Sequence, residues 1–257
     1  MNDEWLVIGL AALLGAIVGS FLNVCIVRLP ANQSVVRPRS RCPRCERPIA
    51  WYDNIPIVSW LVLRGRCRHC DEPISFLYPA VEFLTALIWA GMAWRHPWEL
   101  EAVRGAMFFT LLLGIALTDA REYIIPDEFT WGGLVLGILL SLPGGMGIGP
   151  IQALIGAVVG FGLLWLVGFV GTMALKEEAM GGGDIKMMAM VGAFVGWPGV
   201  LLTIFLGALL GTMIFLPLTL LGRKKQVPFG VFLSIGAAAA WLVGPAIISW
   251  YRHYLGF

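Results

Sequence analysis

Two aspartates in this sequence stand where an apolar run begins or ends. Asp184 follows three glycines in Met180-Gly181-Gly182-Gly183-Asp184-Ile185-Lys186, and Asp119 closes the run Leu111-Leu112-Leu113-Gly114-Ile115-Ala116-Leu117-Thr118. A carboxyl group at the mouth of a hydrophobic span is expensive and by default marks a functional site. Two such groups sharing one proton can hydrolyse a peptide bond. The ionised member activates water, while the protonated one polarises the carbonyl and supplies the proton for the departing amine. Gly181, Gly182 and Gly183 leave room for an extended substrate backbone to approach. The plainer reading of each aspartate is a solvated cap at a span end. No rival catalytic set competes: His69, His96 and His253 are scattered, and no serine sits in a nucleophile elbow.

A second chemical set is Cys42-Pro43-Arg44-Cys45 and Cys67-Arg68-His69-Cys70, with 21 residues between the pairs. Two such knuckles bring four thiolates into the tetrahedron that structural zinc prefers. All four positions of Cys42, Cys45, Cys67 and Cys70 are filled, so the Zn2+ has no open coordination position and is structural. His69 is a bystander, and Cys25, alone in an apolar run, is a small buried hydrophobe.

The elements that must position these groups are membrane helices. The chain has 257 residues, 58% of them hydrophobic and 13% charged, with a mean hydropathy of +0.81; a soluble domain carries about twice that share of charge. Apolar runs at about residues 5–27, 76–94, 102–118, 129–142 and 151–175 are followed by two between 187 and 221 and a last one at 229–250. The expected fold is therefore all-α and polytopic, with about eight transmembrane helices and a small zinc-ribbon-like loop between the first two. The domains are the first helix (1–29), the four-cysteine loop (30–75) and a helical region (76–257). No internal repeat is expected. The acidic N-terminus Met1-Asn2-Asp3-Glu4 lacks a basic signal-peptide region, so the first run reads as a retained span.

Charge distribution sets the topology. Nine Lys/Arg and four Asp/Glu lie between Arg28 and Glu72, which assigns that loop to the cytoplasm. Arg223-Lys224-Lys225 marks a second cytoplasmic connection. Counting spans from there puts Asp119 and Asp184 at cytoplasmic span ends. Asn23 reads as interhelical glue and Asp127 as a helix cap. Glu82, inside its apolar run, is either functional or a structural hydrogen-bond partner. Gly9, Gly15, Gly19 and Ser20 suit close helix packing, and the aromatic stretch 51–63 is too short to span.

Taken in order, these motifs resemble the bacterial type IV prepilin peptidases, a bifunctional leader peptidase and N-methyltransferase family of G-x-G-D aspartic proteases. The likeness covers nearly the whole chain: Gly19-Ser20-Phe21-Leu22-Asn23-Val24, Arg28-Leu29-Pro30, the cysteine pairs, Asn54-Ile55-Pro56, Ser59-Trp60-Leu61 and Arg64-Gly65-Arg66-Cys67. Further along come Tyr78-Pro79 with Glu82, Asp119, Pro126-Asp127, Gly181 to Asp184 with Lys186, and Pro228-Phe229-Gly230. Leu77 stands where many members carry Arg, and Thr118 where Ile is common.

The resemblance implies that Asp119 and Asp184 are the catalytic pair, cutting on the cytoplasmic face of the bacterial inner membrane after the glycine that ends a short basic leader. It implies methylation of the new N-terminus with S-adenosylmethionine, with the cysteine loop, Gly65 and Glu82 linked to that transfer. Type IV prepilins or the pseudopilins of type II secretion would be the substrates, with membrane lipids as surroundings and no nucleic acid among the partners. Two other classes fit parts of the sequence. A thiol-disulfide oxidoreductase would cycle its cysteines and hold no metal. An ion-coupled transporter would place Asp119, Asp184 and Glu82 near the bilayer centre.

Overall fold

The apolar runs become helices, and their glycines decide how closely those helices approach. The computed structural model describes residues 2–143, 147–220 and 227–255. Among these the α-helices are α1 (Asn2–Arg28), α2 (Val58–Val62), α3 (Leu77–Arg95), α4 (Leu100–Glu122), α5 (Asp127–Ser141), α6 (Pro150–Leu175), α7 (Gly182–Leu220) and α8 (Phe229–Leu255). Six of them, all but α2 and α5, are long and apolar enough to cross a membrane, so this is a multi-pass membrane protein. The chain forms two compact units with their boundary inside α4, after Thr110.

In the first unit α1 lies on α3 through a small-residue face. A Cβ at Gly15 would stand 2.8 Å from the carbonyl of Thr85, and one at Gly19 2.8 Å from the Cα of Glu82, whereas Gly9 meets nothing within 4 Å. Gly15 and Gly19 thus serve the packing and Gly9 does not. Asn23 donates from Nδ2 to the Tyr78 carbonyl at 3.0 Å, the interhelical bond its position suggests. Trp89, Met92 and Ala106 form a buried cluster lower in the same unit, where Trp89 Nε1 donates to Thr110 Oγ1 at 3.1 Å. The aromatic stretch does not span; it makes a 3-10 turn (Trp51–Asn54) and the short α2.

The second unit is built around the first part of α7. Residues 187–194 are buried without interruption, which a helix apolar on every side requires. A Cβ on Gly156 of α6 would clash with the Gly192 carbonyl, one on Gly160 with the Met188 carbonyl, and one on Gly133 of α5 would lie 2.8 Å from Met190 Cγ. Backbones meet where side chains would otherwise hold them apart.

α7 is not one rod. Gly196 takes φ 68 and ψ 175 in the middle of it, a conformation open to glycine and costly for other residues. Gly160 faces both Met188 and Val200 Cγ2, the latter at 3.4 Å. A straight helix would separate those two residues by about 18 Å, so the chain turns back on itself at Gly196. The two segments expected between 187 and 221 are both present, but 182–195 rises only about 21 Å and α5 about 22 Å, against a hydrocarbon core of about 30 Å. Six full-length candidates and two short helices stand where eight spans were expected. Arg223-Lys224-Lys225 lies outside the described residues.

The close approach of α6 and α7 makes a prediction. Gly192→Ala will destabilise the protein by about 1–3 kcal/mol, the usual cost of overpacking. Gly162→Ala, where nothing lies within 4 Å, will be neutral or slightly stabilising. Denaturant unfolding in detergent micelles, followed by circular dichroism, distinguishes the two.

Candidate active site and metal centre

Asp119 lies in the last turn of α4 and is 6% exposed. Its Oδ2 accepts the backbone N–H of Val231, the third residue of α8, at 3.2 Å. The first N–H groups of a helix have no partner within it, and the helix dipole favours negative charge there. Gly230 makes the approach possible, since a Cβ on it would stand 3.0 Å from Asp119 Oδ2. Thr118, buried beside it, returns its hydroxyl to the Gly114 and Ile115 carbonyls of its own helix.

Asp184 is the third residue of α7 and lies within Coulombic reach of Asp119. Its Oδ1 is buried and has no hydrogen-bond partner. Buried carboxylate oxygens are normally satisfied, so an orphan of this kind calls for an explanation. Of the three glycines, Gly181 lies against Asp184, with a built Cβ 3.3 Å from Oδ2; Gly183 lies against Ile125; Gly182 faces open space. Both carboxyls therefore stand at helix ends, as span counting suggests.

Asp127 does a different job from the cap expected of it. Pro126 occupies the N-cap of α5, and no side chain caps that helix. Asp127 instead pairs with Lys186 Nζ at 2.7 Å, tying the start of α5 to the start of α7. Sequence reasoning missed this pair and the anchoring of Asp119 on α8. The available signal was Pro228-Phe229-Gly230: proline ahead of a helix and glycine in its first turn, where a bulky partner approaches.

In the first unit the four cysteine sulfurs all lie within 4.8 Å of one another, and Cys42 and Cys70 Sγ are 3.7 Å apart. Metal–sulfur bonds of about 2.3 Å in a tetrahedron give an edge of about 3.8 Å, so the set fits a metal ion. The backbone N–H groups of Cys45 and Arg44 point at Cys42 sulfur and bring its thiol down to about 7, against the opposing effect of burial. His69 stays outside the cluster and contacts Arg47. Four clustered sulfurs suit a metal better than the two separable pairs of an oxidoreductase.

The knuckles repeat one another. Cys42 N–H bonds the Arg47 carbonyl and Glu46 N–H the Cys42 carbonyl; Cys67 with Glu72 and Asp71 with Cys67 do the same. Glu46 and Asp71 both take positive φ, and bridges join Arg41 to Pro48 and Arg66 to Pro73. The sequence carries R-C-x-x-C-[E/D]-x-P-I at 41–49 and again at 66–74, so the expectation of no repeat is corrected. The unit is nine residues long, too short to stand out beside the hydrophobic pattern.

Gly65 and Glu82 hold this loop in shape. Gly65 has φ 67, and a Cβ on it would stand 2.9 Å from the Trp60 ring, whose Nε1 donates to the Ile74 carbonyl at 3.1 Å. Glu82, buried in α3, accepts the Ile57 N–H at 2.7 Å. Ile57 has φ 62 and ψ −50, and Val58 N–H bonds the Pro56 carbonyl around it. That is the rare, strained form of the γ-turn, held by a buried acid from the membrane helix. A bidentate Arg68–Asp53 pair, with Nη2 2.6 Å from Oδ1, braces the same loop.

The chain is similar to known proteins over most of its length. Residues 13–96 match the profile described as Bacterial Peptidase A24 N-terminal domain, and residues 106–216 that of the Type IV leader peptidase family. A protein of Aeromonas hydrophila named "Prepilin leader peptidase/N-methyltransferase" is 34% identical over 278 residues, 96% of this chain and 94% of its own. The chain belongs to the type IV leader peptidase family. A protein of the same name from Pseudomonas aeruginosa is 36% identical over 280 residues, 95% of this chain and 93% of the other. One from Myxococcus xanthus is 44% identical over 201 residues, 78% of this chain but 60% of the relative's length. No solved structure matches the chain. Membership of the leader peptidase family makes it a peptidase that is also an N-methyltransferase.

A metal ion held by these four cysteines would be part of the fold. Cys45→Ser or Cys70→Ser will reduce metal content from one ion per chain toward none, as read by elemental analysis of purified protein. Residues 30–75 will then become open to limited proteolysis while the membrane helices stay protected.

Proposed function

We propose that Asp119 and Asp184 are the catalytic pair of the peptidase. The observation that carries this reading is the contrast between them. Asp119 is anchored on the first turn of α8 through Oδ2, whereas Asp184 presents a buried Oδ1 with no partner in the protein. One carboxyl group is held in place and the other keeps an unused hydrogen-bonding oxygen at the same site, which suits a water shared between them. In hydrolysis the ionised carboxylate takes a proton from that water as its oxygen attacks the scissile carbonyl. The protonated partner stabilises the developing oxyanion, and a proton passes to the departing amine. The pair titrates as one system.

The substrates are type IV prepilins and type II secretion pseudopilins, cut after the glycine that closes their basic leader, on the cytoplasmic side of the inner membrane. The basic loop between α1 and α3 supports that orientation through the positive-inside rule. Counting α5 and α6 as spans keeps Asp119 and Asp184 on that same side. The four cysteines hold a structural Zn2+, since an all-thiolate tetrahedron leaves no open position for catalysis. S-adenosylmethionine supplies the methyl group when bound.

Two experiments test these readings. In cleavage of a prepilin by full-length protein in lipid nanodiscs, Asp119→Asn and Asp184→Asn will each lower the rate by about 10³-fold or more, and the double change will cost little beyond either one, as for residues acting as a unit. Retained cleavage in both single variants would return the aspartates to the role of caps. Gly65→Ala, which strains a positive φ and presses on Trp60, will reduce methylation of the cleaved product severalfold while leaving cleavage near wild type, measured by mass spectrometry of the new N-terminus. Equal loss of both activities would separate Gly65 from methyl transfer.

A further inference from the structure

Between α4 and α5 the chain places one large apolar side chain against the first turn of α7, which bears Asp184, and the first turn of α8, on which Asp119 is anchored. A Cβ on Gly183, the residue before Asp184, would stand 3.0 Å from Ile125 Cβ. A Cβ on Gly230 would stand 2.8 Å from Ile125 Cδ1 and 3.0 Å from Asp119 Oδ2. Ile125 therefore fills the notch between the first turns of α7 and α8, with its terminal methyl beside the Asp119 carboxylate. Both neighbours are glycine, and only that lets a branched side chain enter.

The backbone holds this wedge still. Tyr123 takes φ 55 and returns its N–H to the Asp119 carbonyl at 3.0 Å, which ends α4. Pro126 is buried, and a residue before proline is confined to extended backbone. The Pro126 carbonyl accepts the N–H groups of Phe129 and Thr130, which starts α5. Residues 123–126 thus form a connection fixed at both ends, and the isoleucine on it is stiff at χ1. A side chain mounted this way makes a wall; a lid would need slack.

On the reading of Asp119 and Asp184 as the catalytic pair, we propose that Ile125 is a specificity-determining residue. Its side chain fills the space beside the scissile bond, so that only a substrate residue without a side chain fits against Asp119. A single methylene in an apolar pocket is worth about 10–200-fold in discrimination, and removing most of the isoleucine side chain returns that volume.

The test compares full-length wild type, Ile125→Ala and Ile125→Val in nanodiscs on two prepilins, one with glycine and one with alanine on the leader side of the cut. The readout is the ratio of kcat/KM for alanine over glycine. Ile125→Ala will raise that ratio about tenfold or more, and Ile125→Val will raise it by less. A ratio unchanged in a variant that still cuts the glycine substrate overturns the assignment. So does an equal gain on both substrates, which would make Ile125 a gate. Should Ile125→Ala fail to fold, the Ile125→Val ratio decides, and an unchanged value overturns the proposal. Asp119→Asn and Asp184→Asn are run beside them: if those variants still cut, the catalytic-pair reading fails, whereas inactive aspartate variants with a flat Ile125 ratio sink the specificity assignment alone.

Discussion

The second unit depends on contact between glycine backbones and one buried helix. Lipid tails are as apolar as leucine, so membrane helices gain little from hydrophobic exclusion and must be held by close van der Waals packing. Residues 187–194 obtain that packing because Gly156 and Gly160 of α6 and Gly133 of α5 admit their backbone and side chains. A helix enclosed on every side cannot slide or rotate without clashes. Its first turn, which carries Asp184, is fixed as a consequence, and the position of that carboxyl group follows from contacts far along the same helix.

The site itself is made of helix ends. α4 contributes its last turn, and α5, α7 and α8 contribute their first turns through Asp127, Asp184 and Lys186, and Val231. Unpartnered N–H groups at such ends attract negative charge. Two carboxyl groups can thus be kept at the edge of an apolar unit without the basic partner that a mid-membrane acid would need. Lys186, two residues after Asp184, is engaged by the exposed Asp127, a pair that contributes order more than stability.

The first unit solves a different problem with similar means. A loop that is largely polar has no core of its own, so its shape comes from two repeated knuckles around four sulfurs and from Glu82, which reaches out of α3 to hold the strained turn at Ile57. Strain of this kind persists only where the surroundings over-determine it. The buried acid that looked like a candidate for chemistry in the sequence is engaged with backbone.

Much of this was legible in the sequence because it is local. Hydrophobic run length gave the helices, C-x2-C spacing gave the metal-sized cluster, and the cost of a carboxyl group in an apolar run singled out Asp119 and Asp184. The knuckle repeat was equally present in the residues at 41–49 and 66–74, though its short unit hid it. Tertiary structure alone decided the rest. The Asp119–Val231 bond joins residues 112 apart, the Lys186–Asp127 pair residues 59 apart, and Ile125 meets Gly183 and Gly230 from a third place in the chain. The reversal at Gly196 needed the packing of Met188 and Val200 on the same glycine to be recognised. Periodicity and spacing report what a residue does to its own neighbourhood; which distant partner reaches an aspartate is set by which helices can approach closely enough.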